Sequence, residues 1–196
     1  MSALAAGLLT LAGCGGVLDV RRAEPLRPGQ LQAHVAATGT YAGGTVVAAA
    51  TFGVRGGVAP RVDVAATVGL SPFAVGAAID GTVALTDVDR DGFHAALAPR
   101  LGLLGLSEAY LFGDGTLGVL LGWDLAHDAQ FVLSPRVGVM WATEAVPTTS
   151  LAIGVVAPSG RWEFTPAAGV AYTFTRSWSA SVGITAAARL DRAPAP

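Results

Sequence analysis

From Leu31 onward the chain alternates, residue by residue, between bulky apolar side chains and small or polar ones. In Arg61 to Leu70, Val62, Val64, Ala66, Val68 and Leu70 fall on one face, and Arg61, Asp63, Ala65, Thr67 and Gly69 on the other. Phe73 to Leu85 does the same, with Phe73, Val75, Ala77, Ile79, Val83 and Leu85 opposite Ala74, Gly76, Ala78, Asp80, Thr82 and Ala84. A period of two is the mark of a β-strand, because successive Cβ atoms leave opposite faces of the pleat. Ten such segments are expected as strands: 31–41, 45–56, 61–70, 72–85, 93–104, 115–126, 129–142, 149–157, 161–174 and 177–189. Turn residues separate them, at Ala59-Pro60, Ser71-Pro72, Asp89-Arg90-Asp91-Gly92, Gly113-Asp114-Gly115, Pro158-Ser159-Gly160 and Arg176-Ser177. Each segment is near the roughly 9–11 residues with which a tilted strand crosses a bilayer.

The composition says what the two faces meet. Only 13% of the 196 residues are charged and 52% are hydrophobic, whereas a soluble domain carries about a quarter charged residues. The longest uncharged apolar run, Ala3 to Gly13, falls short of the roughly 18 residues of a membrane helix. Without helices, a closed barrel is the remaining way to satisfy every backbone polar group in lipid. One face of the segments carries Val, Leu, Ile, Phe, Trp, Tyr and Pro; the other is mostly Gly, Ala, Ser and Thr with scattered Arg, Asp and Glu. A soluble sandwich or barrel would bury the first face and leave a weakly charged Ala/Gly surface in water. A membrane barrel accounts for both, with bulky residues against lipid and small ones filling a narrow lumen. The expected fold is therefore all-β, an antiparallel up-and-down transmembrane β-barrel of about ten strands, with eight as the alternative. All basic residues are Arg, the net charge is −2 and no basic cluster occurs, which argues against nucleic acid as a partner.

Ala3 to Leu11 reads as the apolar region of a signal peptide spanning residues 1–13. It ends in Leu11-Ala12-Gly13-Cys14, which resembles the lipobox of bacterial lipoproteins, where small residues fit the peptidase and the thiol takes the diacylglycerol. No basic residue precedes the apolar region, a departure from the usual pattern. Cys14 is the single cysteine, so no disulfide or Cys-based metal site forms within one chain. Residues 14–29, with Arg21, Arg22, Pro25 and Pro28, are expected to be a lipidated, extended periplasmic tether, followed by a barrel over 30–190 and a tail over 191–196.

Leu97-Ala98-Pro99-Arg100-Leu101-Gly102-Leu103 recurs as Leu133-Ser134-Pro135-Arg136-Val137-Gly138-Val139, and more loosely as Phe164-Thr165-Pro166-Ala167-Ala168-Gly169-Val170. By parity the prolines lie on the apolar face and Arg100 and Arg136 on the other. Proline in a paired strand forfeits a ladder hydrogen bond, so bulges at one level of the wall are expected. Phe73, Phe93, Phe131, Trp162 and Trp178 lie near strand starts, and Trp123, Trp141, Tyr172 and Phe174 near strand ends, like the aromatic girdles of membrane barrels. Ala167 to Phe174 looks like the Gly-x-x-aromatic-x-aromatic insertion signal of outer-membrane barrels, although a further weak strand follows it. Over residues 31 to 190 the pattern resembles small outer-membrane barrels of proteobacteria. The resemblance implies fold and location in the bacterial outer membrane, with lipid as the surrounding partner, and carries no activity of its own.

No P-loop, GxSxG, HExxH or paired-Cys motif is present. Asp87-Val88-Asp89-Arg90-Asp91-Gly92 begins like a calcium loop but has Ala98 where the closing acidic residue belongs, and reads as a polar turn. His34, His94 and His127 all fall at the periplasmic end, away from the outer leaflet where enzymes of this architecture keep such residues. No enzyme activity, cofactor or metal is expected. Arg55, Arg61, Asp63, Asp80, Arg100, Asp124, Arg136 and Glu163 are expected to form a charge network in the lumen. These features favour a monomeric structural or partner-binding barrel with a narrow or plugged lumen and a periplasmic or membrane partner; a small-solute pore is the alternative.

Overall fold

The computed structural model describes residues 18, 20–87, 92–106, 111–125, 128–141, 144–174 and 177–190. Ten antiparallel strands form a closed barrel in which each strand pairs with its sequence neighbours and β1 with β10. They are β1 Leu31–Ala42, β2 Thr45–Ala59, β3 Val62–Leu70, β4 Ala74–Ala84, β5 Phe93–Leu106, β6 Leu111–Asp124, β7 Gln130–Trp141, β8 Ala145–Ser159, β9 Trp162–Thr173 and β10 Ser177–Arg189. The strand after the insertion-signal motif is thus real: β10 closes the wall against both β9 and β1. Cys14 and the residues around it lie outside the described part, as does His127.

The faces follow the alternation. Val75, Ile79, Leu101, Val137 and Val182 point outward, each more than half exposed, while Ala65, Ala78, Ala96, Ala98 and Ser134 point inward and are buried. Aromatics gather at two rims. Phe93, Trp123 and Phe131 make a chain of tilted rings, 5.3 and 5.8 Å between centroids, at the end of the barrel that carries Leu31 and Arg189. Tyr172 stacks with Trp178 at 4.6 Å and with Phe174 at 5.6 Å at the other end. An apolar belt between aromatic rims is what a lipid-embedded barrel requires. Substituting Arg for outward Val75 should therefore destabilise the inserted barrel by about 2–4 kcal/mol, and Arg for inward Ala78 far less. Urea unfolding from lipid vesicles measures both, and the opposite ranking would reverse the faces.

Three sequence expectations need correction. The repeated prolines do not make bulges. Beside Pro99, Pro135 and Pro166 the pairing lapses on the side of the preceding strand, but it resumes in the same register: Asp80↔Arg100 then Val83↔Leu97, Gly118↔Arg136 then Leu121↔Leu133, Gly154↔Ala167 then Ala157↔Phe164. A missing N–H removes a rung without inserting a residue. The register shift that does occur is in β2 against β3, between Gly57 and Ala59.

Second, Gly113-Asp114-Gly115 is no turn but part of β6, which starts at Leu111. A Cβ on Gly113 would lie 2.2 Å from the Trp141 ring of the paired strand, so this glycine makes room for an outer-face indole. Third, β8 begins at Ala145, taking Pro147 into the wall.

Candidate functional site

The described residues of the expected tether lie inside the barrel. After Pro25 and Leu26, the chain crosses the wall end at Gly57, where a Cβ would stand 2.0 Å from the Arg27 carbonyl oxygen, and Gly29, with φ +81°, turns it into β1. Leu18, Val20 and Ala23 are buried in one apolar cluster with the inward residues Ala96, Ala98, Leu120, Val132, Ala152 and Val156. A polar segment was expected to stay in water; the apolar side chains at 18, 20 and 23 instead find an apolar strip on β5 to β8, and Leu26 is buried beside β2 and β3, where their burial is favourable.

Charge fixes the segment in place. The Arg21 guanidinium pairs with Asp80, donates from Nε to Thr82 Oγ1 at 3.2 Å, and from Nη2 to the Gly81 carbonyl at 3.0 Å. Arg22 Nε donates to Glu163 Oε2 at 2.7 Å. The Leu26 N–H donates to Asp63 Oδ2 at 2.9 Å, and the Ala23 N–H to Gln130 Oε1 at 3.0 Å. Gln130 Nε2 in turn donates to both Glu24 oxygens, at 3.0 and 2.9 Å, and to Asp124 Oδ1 at 3.0 Å. His94 Nε2 lies 3.1 Å from Glu24 Oε1 and 3.0 Å from Asp124 Oδ2.

Of the expected lumenal charges, Arg55, Asp63, Asp80, Arg100, Arg136 and Glu163 sit on inward positions, and Asp124 at the rim closes the inward row of β6. Arg61 does not join them. It is exposed in the turn between β2 and β3, one residue before the inward alternation of β3 begins. Among the described residues the rest fall into groups, and Thr82 Oγ1, which accepts from Arg55 at 3.4 Å and from Arg21 at 3.2 Å, joins the Arg55–Asp63 pair to Asp80. Arg55 Nη2 meets Asp63 Oδ2 at 2.5 Å deep in the wall. Arg100 faces Asp114, Nε to Oδ2 3.7 Å, and Arg136 Nε donates to Ser134 Oγ at 3.3 Å. Asp114 was missed because its flanking glycines look like a turn.

Arg21, Arg22 and Glu24 were missed for want of a reason to bring them inside, yet a signal exists. Among the described residues the wall turns five carboxylates inward or to the rim (Asp63, Asp80, Asp114, Asp124, Glu163) against four arginines (Arg55, Arg100, Arg136, Arg189). A confined lumen with one uncompensated negative charge favours a segment of net positive charge, which Arg21 and Arg22 with the single carboxylate of Glu24 provide.

Among solved structures, the barrel superposes on a bacterial polysaccharide outer membrane secretin with TM-score 0.54 and 12% identity, covering 74% of this chain and 57% of that one. It superposes on the β domain of the Bordetella autotransporter BrkA with TM-score 0.51 and 14% identity, covering 81% and 98%. The fold is that of a bacterial outer-membrane β-barrel. At such identities the likeness is one of fold. The chain spans little more than half the length of the secretin. No protein-family model and no curated protein matches the sequence. For an outer-membrane barrel, the apolar belt and the two aromatic rims fit residence in that membrane.

Proposed function

We propose that this outer-membrane barrel is a plugged, monomeric structural or partner-binding protein, closed by its own residues 18–30. The observation that carries the reading is the burial of Leu18, Val20, Ala23 and Leu26 inside the wall, with Arg21, Arg22 and Glu24 each engaged by a wall residue. Two cavities beside the segment measure about 50 and 70 Å³, room for a few waters each, and a larger one of about 360 Å³ opens at the Leu31 end between Arg22, Gln32, Glu163 and Arg189. With its interior so occupied, the barrel offers a partner its rims and the membrane its outer face. Full-length protein in a planar bilayer should show no stepwise conductance, and regular open steps would contradict the plug.

A gated small-solute pore is the second reading, favoured by the small inward residues Thr38, Thr51, Thr67, Ala78 and Thr185, which would line a wet channel once the segment left. Lipid attachment at Cys14 belongs to the same proposal, on the lipobox alone. Cells fed a palmitate analogue should label the wild type and not Cys14→Ser; equal labelling would remove the anchor and leave the barrel untouched.

A further inference from the structure

We infer that Glu24, His94 and Asp124 form a binding site for one divalent first-row cation of the zinc or manganese class, pinning the lumenal segment to the barrel wall. The three come from three elements: the segment, the second residue of β5 and the last residue of β6. Their ligand atoms all lie within 4.8 Å of one another, and the two carboxylate oxygens stand 3.1 and 3.0 Å from the same His94 Nε2. Ligands about 2.1 Å from an ion and at right angles to each other are separated by about 3.0 Å, so both His94–carboxylate separations suit neighbouring positions on one ion.

Proton bookkeeping points the same way. A neutral imidazole brings one N–H to Nε2 at most, yet two carboxylates converge on it, and the His94 side chain is only 5% exposed. Two carboxylates, one neutral imidazole and one dication sum to zero charge, a favourable balance for a cluster built on a buried imidazole. Gln130 Nε2, donating to Glu24 and to Asp124 Oδ1, and the Gly92 N–H, donating to Asp124 Oδ2 at 2.9 Å, hold both carboxylates in position, as outer partners of metal ligands do. The Asp124 side chain is 30% exposed, so an ion has a way in from the rim. The imidazole suits zinc or iron and the carboxylates suit manganese, so the mixed set points to a first-row ion.

Binding needs Glu24 of the segment at the wall and so rests on the segment's placement; the consequence, a plug locked by the ion and loosened by chelation, rests further on the segment closing the lumen. The test uses untagged barrel in the Cys14→Ser background, refolded in detergent, stripped with EDTA, and titrated with Zn(II) by calorimetry and with Co(II) by visible absorption. One saturable equivalent is expected. His94→Ala and Glu24→Gln should weaken it at least about tenfold, while Arg61→Ala, out in the turn, leaves it unchanged. Glu24 lies outside every strand, so Glu24→Gln keeps its heat-modifiable mobility and stays informative if His94→Ala does not fold. Absence of a saturable equivalent, or affinity unchanged in Glu24→Gln, overturns the site. One-equivalent binding with conductance indifferent to EDTA keeps the site and removes its hold on the plug.

Discussion

A chain lacking residues 15–27 should open stepwise ion conductance in planar bilayers where the full chain gives none. The ladder of ten strands does not depend on the segment: β1 starts at Leu31 and pairs with β2 and β10 along its whole length. What the deletion removes is Leu18, Val20 and Ala23 from the strip of β5 to β8, and Arg21, Arg22 and Glu24 from their wall partners. The emptied wall keeps five carboxylates and four arginines inward or at the rim among its described residues (Asp63, Asp80, Asp114, Asp124 and Glu163 against Arg55, Arg100, Arg136 and Arg189). A lumen of that balance should prefer cations, since rings of carboxylates set cation selectivity. Anion preference would mean the charges do not line the path. A heat-modifiable but silent deletion variant would mean the wall side chains fill the lumen by themselves.

The second large effect lies in the wall. Arg55→Ala or Asp63→Ala should each destabilise the barrel by about 3–5 kcal/mol, because one substitution leaves the other charge buried and unpaired. Their side chains are 4% and 0% exposed, and the pair is also where the segment enters, through the Leu26 N–H on Asp63 and the Glu24 carbonyl on Arg55. Arg55 Nε and Asp63 Oδ1 find no hydrogen-bond partner among the described residues, so the pair is not fully satisfied. The combined Arg55→Met, Asp63→Leu variant should therefore recover most of the loss. Arg61→Ala, exposed in the neighbouring turn, should stay within about 0.5 kcal/mol of wild type. Urea unfolding from vesicles reads all four. Single losses below about 1 kcal/mol would show a hydrated lumen in which the charges are screened.

The faces of the barrel were legible in the sequence because parity is unforgiving: a one-residue slip would put Val75 and Ile79 in the lumen and Asp80 in lipid. The count of ten strands followed from the runs of alternation, with turn residues marking several of the junctions. Legibility failed where a residue had two physical uses. Gly113 and Gly115 read as turn formers, but Gly113 is small to clear the Trp141 ring. Pro99, Pro135 and Pro166 read as bulge makers, but the wall drops a rung and holds register. The segment before β1 read as a solvated tether because it has prolines and arginines and no period. Its placement depends on contacts between residues about 40 to 140 positions apart, such as Leu26 with Asp63 and Arg22 with Glu163, which no local pattern records.

That the segment lies in the lumen is the central claim, and one cross-link tests it. A Cβ on inward Gly122 would stand 3.1 Å from the Ala23 Cβ, with the end of the Gln130 side chain turning aside to admit it; a disulfide asks for Cβ atoms about 3.5–4.5 Å apart. The Ala23→Cys, Gly122→Cys barrel, in the Cys14→Ser background and inserted in vesicles, should oxidise to one intramolecular disulfide, seen as lost free thiols and a linked peptide pair by mass spectrometry. Two thiols that stay free and react with a membrane-impermeant reagent in the folded barrel would place the segment outside the lumen and contradict the account.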